Sequence, residues 1–196
     1  MKIFEEQKFN IPELKGISQK SVEDHLKLYA GYVKNYNALF AEMQKLSGAE
    51  NPLAHSELTR RMSFEFDGMR LHEIYFSQFE GSPTSLTTSG TFESNVNEQF
   101  GSIDRLKGII KNIGMMRGPG WALLYWDPKT SQFLLGFSEE QHVGHFVTLP
   151  VLLALDVWEH AYLLDQGAAG KGAYIDAFFE NVNWKVVEAN FAAAQR

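Results

Sequence analysis

Cysteine is absent from this 196-residue chain, which excludes a disulfide framework and any thiolate metal site. A metal could be held only by imidazole, carboxylate and water. Also missing is any stretch near the ~18 uninterrupted apolar residues that a membrane-spanning helix needs. The first residues, Met1-Lys2-Ile3-Phe4-Glu5-Glu6-Gln7, carry no apolar core of the leader-peptide kind, so a cytoplasmic protein with no membrane partner is expected. Basic residues are in deficit: 18 Lys and Arg stand against 24 Asp and Glu, a formal charge of -6. That balance argues against nucleic acid as a partner and gives no overall attraction for an anionic substrate, which would have to be drawn in locally. Internal repeats are lacking too. What is present is ordinary globular material, with 44% apolar residues, enough for one large core or two small ones.

Residues 1–20 form a lead-in containing Pro12, Gly16 and Ser18, with Leu14 and Ile17 as anchors. From Ser21 to Leu46, the residues Leu26, Tyr29, Val33, Tyr36, Leu39, Phe40 and Met43 recur at intervals of three and four. This is helix spacing, with Ser47-Gly48 as its end. Asn51-Pro52 opens a second helix, reaching Glu80, on which Leu58, Met62, Phe66, Met69, His72, Phe76 and Phe79 form one stripe. Two long helices joined by a short turn predict an antiparallel hairpin. The Gly, Ser, Thr and Pro run from Gly81 to Gly90 is the best linker in the chain. It divides an N-terminal helical hairpin domain, residues 1–85, from a C-terminal α/β domain, residues 91–196. In the second part a helix is expected over 92–112 and strands over 120–126, 132–137 and 147–155. Asp127-Pro128-Lys129 joins the first two strands as an antiparallel hairpin. Helical segments follow from Trp158 to Phe191, broken by the glycine-rich stretch 166–172. The expected class is α+β: a long antiparallel helical hairpin, then an α/β domain with a three-stranded antiparallel sheet flanked by helices.

The chemistry concentrates at one place. Leu149-Pro150-Val151-Leu152-Leu153-Ala154-Leu155 is a continuous apolar run, the mark of a strand packed on both faces. It empties into Asp156-Val157-Trp158-Glu159-His160-Ala161-Tyr162. A carboxylate at the end of a buried strand is costly unless something positive meets it. With His160 four residues on, a cation between the two side chains meets that need.

Asp-Val-Trp-Glu-His-Ala-Tyr resembles the C-terminal signature of the iron/manganese superoxide dismutases, in which the Asp and the His are two of four protein ligands. The likeness extends over nearly the whole chain. Ser21-Val22-Glu23-Asp24-His25, followed by Tyr32-Val33 and Asn37, is similar to the family's first ligand helix, and Gly68-Met69-Arg70-Leu71-His72 to the second. Gly118-Pro119-Gly120-Trp121 resembles the segment before the first sheet strand, and Asn181-Val182-Asn183-Trp184 the family's closing motif. The resemblance implies a metal held by His25, His72, Asp156 and His160 between the two domains, with solvent as a fifth ligand and superoxide as substrate. Three imidazoles and a carboxylate suit iron, manganese or zinc by chemistry alone; the resemblance points to one Mn or Fe ion per subunit.

In this family a Gln bonds the solvent ligand, supplied by the second helix in many iron enzymes and by the C-terminal domain in many manganese ones. Here Gly68 stands at the former position and Gln141 fits the latter, which favours manganese. Tyr75, where manganese members often have Phe, leans towards iron. His142 stands where the manganese form usually has Asp, and a shift of one residue would make His142 the solvent's partner. Tyr32 resembles the gateway tyrosine of the substrate funnel and proton relay. The catalytic candidates are therefore Tyr32, Gln141 and His142. The family spaces His, His and Tyr on this helix at i, i+4 and i+8, whereas this chain has His25, Tyr29 and Tyr32. That puts Tyr29 beside Tyr32 in the funnel and questions the relay. Lys171 fits where the family often has an Arg near the funnel. Glu159 is implied to reach the ligand His of a second subunit, at a dimer interface that includes Tyr162, in a homodimer or homotetramer.

Superoxide dismutase is the leading expectation. The alternative is a catalytically weak or inactive dismutase-fold protein that binds metal or a partner. An iron oxygenase would use two His and one carboxylate, and a fourth ligand leaves it too few open positions. His55 and His145 are read as surface or capping residues.

Overall fold

Two long helices come first, and their ends show why they form. The computed structural model describes residues 3–46, 51–81, 83–87 and 90–195. Helix α1 spans Gln19–Lys45. It begins before Ser21 because Ser18 is the cap, its Oγ accepting from the Ser21 N–H at 3.1 Å. Ser47-Gly48, expected to end it, lie outside the described residues, as do Ser82, Thr88 and Ser89 of the linker. Helix α2 spans Pro52–Ser77, capped by Asn51, with Pro52 in the first turn, where a missing N–H costs nothing. The two run antiparallel, since contacts from α1 to α2 descend in number: His25 meets Phe76, Tyr32 meets His72, and Tyr36 meets Phe66. Gln78 stops α2 short of Glu80 and clamps it to the sheet. Its Oε1 accepts from the Ala154 N–H and its Nε2 donates to the Ala154 carbonyl, both at 2.8 Å.

The helix expected over 92–112 is two helices, α3 (Thr91–Phe100) and α4 (Ile103–Gly114). Gly101 breaks them with a φ of 88°, a left-handed conformation that glycine adopts freely, and Ser102 caps the second. The sheet consists of β1 (Trp121–Asp127), β2 (Gln132–Ser138) and β3 (Val151–Asp156), in the order β2-β1-β3 with both pairs antiparallel. β3 begins later than expected: Val147 to Pro150 are not strand, Thr148 having a φ of 68° and proline lacking a ladder donor. After β3 come a 3-10 turn at Glu159–Ala161 and helices α5 (Leu163–Gln166), α6 (Lys171–Asn181) and α7 (Trp184–Ala194). The described part of the linker is strapped to this end of the chain, with Thr84 bridging Asn183 and Thr87 bonded twice to Glu188. One apolar core runs from α1 and α2 through the sheet to α7. Among the described residues no helix is long and apolar enough to cross a membrane.

Candidate metal centre

The hairpin supplies His25 and His72, and the end of β3 with the turn after it supplies Asp156 and His160. The donor atoms of all four lie within 4.8 Å of one another. Asp156 Oδ2 is the focus: His25 Nε2 and His160 Nε2 each lie 3.1 Å from it, and His72 Nε2 lies 3.7 Å away. The other carboxylate oxygen, Oδ1, is already satisfied by the Trp158 N–H at 2.8 Å. His72 Nδ1 lies 2.6 Å from the Gly68 carbonyl. A carbonyl can only accept, so Nδ1 carries the proton and Nε2 turns a lone pair to the centre. The Nε2 atoms of His25 and His72 are buried and lack any hydrogen bond; the approach of His25 to Asp156 is close in distance without bonding geometry. Buried nitrogens left unpaired are costly, and a cation at their point of convergence removes the cost. The donor set fits iron or manganese.

Electrostatics agrees. Burial lowers the pKa of His25 and brings that of His72 down to about 3, outweighing the pull of Asp156. Both rings are therefore neutral and able to coordinate near neutral pH. Burial alone would raise Asp156, but His160 and His25 outweigh it and hold the carboxyl below the ordinary range. His160 shows the reverse balance, burial lowering it and Asp156 raising it further.

Around the four stands a tight shell. Tyr32 and Trp121 lie against His72, with ring centroids at 5.0 and 5.1 Å. Tyr75 and Phe76 each lie 5.0 Å from His25, and Trp158 stacks on His160. Gln141 is fully buried, with its amide orientation determined by its neighbours. The Trp121 indole can only donate, so it binds Oε1, at 2.8 Å, and Nε2 donates to the Tyr32 hydroxyl at 3.0 Å. At Gly68 a Cβ would fall 2.6 Å from the Tyr32 ring, so the ring fills the space that a side chain there would need.

Several expected residues lie elsewhere. Tyr29 does not open onto a funnel: it is buried, and its hydroxyl accepts from the Gln7 N–H and contacts Glu73. Lys171 donates to the carbonyls of Met116 and Gly118, at 2.8 and 3.1 Å, so its charge is spent on the loop before β1. His142 packs on Phe64 with Nδ1 3.7 Å from Glu140, outside the set that surrounds His72. Of the two residues expected at a subunit interface, Glu159 is exposed, whereas Tyr162 is buried against Tyr174 of its own chain. His145 is no surface residue: it is half-buried, and its ring touches Tyr125 and the Gln141 main chain. The sequence offers no periodic signal for it, because the segment between β2 and β3 is neither helix nor strand.

Comparison with known proteins decides the family. Residues 88–190 match the family described as iron/manganese superoxide dismutases, C-terminal domain. The chain belongs to the iron/manganese superoxide dismutase family. A superoxide dismutase [Fe] of Cupriavidus metallidurans is 32% identical, over 94% of this chain and 93% of that protein. One from Aquifex pyrophilus, also named for iron, is 31% identical over 93% and 88%. A mitochondrial superoxide dismutase [Mn] of Glossina morsitans morsitans is 29% identical over 87% and 78%. An iron/manganese dismutase fold thus frames a cluster whose donors suit either metal.

Proposed function

We propose that this chain is a superoxide dismutase whose single iron or manganese ion is held by His25, His72, Asp156 and His160. One observation carries the reading: two fully buried, unpartnered imidazole nitrogens converge with a third on one carboxylate oxygen. When bound, the ion supplies a one-electron couple, so that one superoxide is oxidised to dioxygen and the next, taking up two protons, is reduced to hydrogen peroxide. The chain's own residues hold the geometry, exclude water and handle protons. Tyr32 is the proton holder in this reading. Burial first, then the charge of Asp156, raises its pKa, and its O–H has no acceptor among the described residues, its oxygen being taken by Gln141. Gln141 keeps one amide hydrogen beyond the bond to Tyr32, a fixed donor in a dry site, where such a dipole tunes potential most strongly.

Gln141, and not His142, takes this role here, supported by its place between Trp121 and Tyr32. The same arrangement favours manganese, while Tyr75 and the iron-named relatives stand on the side of iron. Purified protein loaded separately with each metal and assayed for superoxide removal tests the whole reading. Activity with at least one metal is expected, the manganese form being faster. Inactivity with both would leave a metal-binding or interaction protein. The chain also forms a homodimer in this reading. The exposed Glu159, beside His160, which is only 23% exposed, supports a two-fold contact that gives each carboxylate His160 of the partner subunit. Sedimentation showing an active monomer at micromolar concentration would refute it.

A further inference from the structure

We infer that His145 is a positioning residue for Gln141, tying the main chain of that residue to the central strand of the sheet. The inference rests on the dismutase reading only for its consequence; the tie itself is a matter of hydrogen bonds. Gln141 lies between β2 and β3, in a segment whose regular pairing has stopped. What holds that segment is a compact set of contacts. The Glu139 N–H bonds the Val143 carbonyl, and Ser138 Oγ reaches the carbonyls of Glu140 and Val143 at 2.6 and 2.7 Å. None of these grips Gln141. His145 Nε2 does, lying 2.8 Å from the Gln141 carbonyl.

The partners settle the ring's tautomer. A carbonyl only accepts, so Nε2 carries the proton, and Nδ1 of the neutral ring is an acceptor. Nδ1 lies 3.0 Å from the hydroxyl of Tyr125, and an acceptor nitrogen calls for a donor. The Tyr125 hydroxyl therefore donates to Nδ1. Tyr125 is 1% exposed and sits in β1, the middle strand. Gly136 of β2 makes room, since a Cβ there would come within 3.2 Å of the Tyr125 ring and 3.4 Å of Phe146. The chain of contacts runs from Tyr125 through His145 to the Gln141 backbone. The Gln141 side chain continues it to Trp121, also of β1, and to Tyr32 of α1. Gln141 is thus held at both ends by one strand. With the backbone tie cut, the amide keeps its partners but loses its fixed direction, and a donor that must act at a set distance is weakened by small displacements.

The test uses full-length protein with His145→Ala, His145→Gln and Tyr125→Phe. The Trp121 indole N–H, followed by hydrogen exchange in the metal-free chain, reports whether Gln141 Oε1 is still in place. The reduction potential of the metal-loaded protein reports the effect at the centre. For His145→Ala, indole exchange should speed up about five- to tenfold, the loss of one hydrogen bond's worth of restraint, with a shifted potential and unchanged metal content. His145→Gln, whose amide can donate in place of Nε2, should restore most of both, and Tyr125→Phe should fall between. If His145→Ala does not fold, the contrast between Tyr125→Phe and His145→Gln decides. Unaltered indole exchange and potential in His145→Ala, or equal values in the other two variants, would overturn the inference. A wild-type protein inactive with both metals would refute the dismutase reading while leaving the indole result to judge the tie.

Discussion

At Gly68 the missing methyl group is itself a piece of the site. A Cβ there would lie 2.6 Å from two carbons of the Tyr32 ring, so Gly68→Ala must push apart α1 and α2 or displace the ring. Overpacking of this kind costs about 1–3 kcal/mol, and the urea midpoint of Gly68→Ala should fall accordingly. An unchanged midpoint would mean that the ring yields freely, which its bond to Gln141 argues against. Among the four candidate ligands, His160 best separates binding from folding. Its side chain is 23% exposed, against 4% for His25 and none for His72, so removing it opens the smallest cavity. His160→Ala should therefore fold and fail to retain iron or manganese through dialysis, as metal analysis would show. Full occupancy would reject His160 as a ligand.

The elements matter through where they point. On a straight α-helix seven residues turn about 700°, close to two full turns, so His25 and Tyr32 share a face of α1, which is unbroken from Gln19 to Lys45. The spacing of seven suits an undistorted helix; a spacing of eight would swing the tyrosine about 80° away unless an extra residue were absorbed in a π-bulge. The shortened spacing thus leaves Tyr32 at the centre, and it is Tyr29 that faces the lead-in segment. At the far end of the hairpin, Gln78 is the joint through which α2 presents His72 to β3. Gln78→Leu keeps the volume and strips both bonds to Ala154, leaving a buried N–H and C=O without partners. Each such group costs about 1–3 kcal/mol. Chemical denaturation should show that loss, and a stability equal to wild type would mean that water replaces the amide.

For the whole molecule, the buried cluster couples stability to pH. Burial takes the His72 pKa from its ordinary 6.5 to about 3, and His25 moves the same way. Below pH 6.5 the unfolded chain binds protons that the folded, metal-free chain refuses, so stability present above 6.5 drains away as the pH falls towards about 3. Asp156, also held below its ordinary value, adds a loss at still lower pH. His160 works against this trend: its pKa is raised, so its contribution is full below 6.5 and lost as the pH rises through the folded value. Two lowered histidines outweigh one raised, and the denaturation midpoint of metal-free protein should drop between about pH 7 and about pH 4. Bound metal should steepen the decline, because protons compete for the same nitrogens. A midpoint flat over that range would show that water reaches the cluster.

Local pattern alone determined much of this protein. Periodicity marked both long helices, the apolar run before Asp156 marked β3, and Asp156 with His160 four residues on marked a place for a cation, while the resemblance of whole motifs to the family added His25 and His72 to the donors that the fold brings together. These features are legible because each depends on neighbours in the chain: a helix face on intervals of three and four, a buried strand on its own apolar residues. Tertiary structure decided the rest. It chose Gln141 over His142 as the neighbour of Tyr32, turned Tyr29 and Lys171 to other partners, and brought His145 in from an apparent surface. Each of those outcomes depends on contacts with distant parts of the chain, such as Tyr32 filling the space above Gly68 or Tyr125 meeting a loop twenty residues on. No local spacing encodes contacts of that kind.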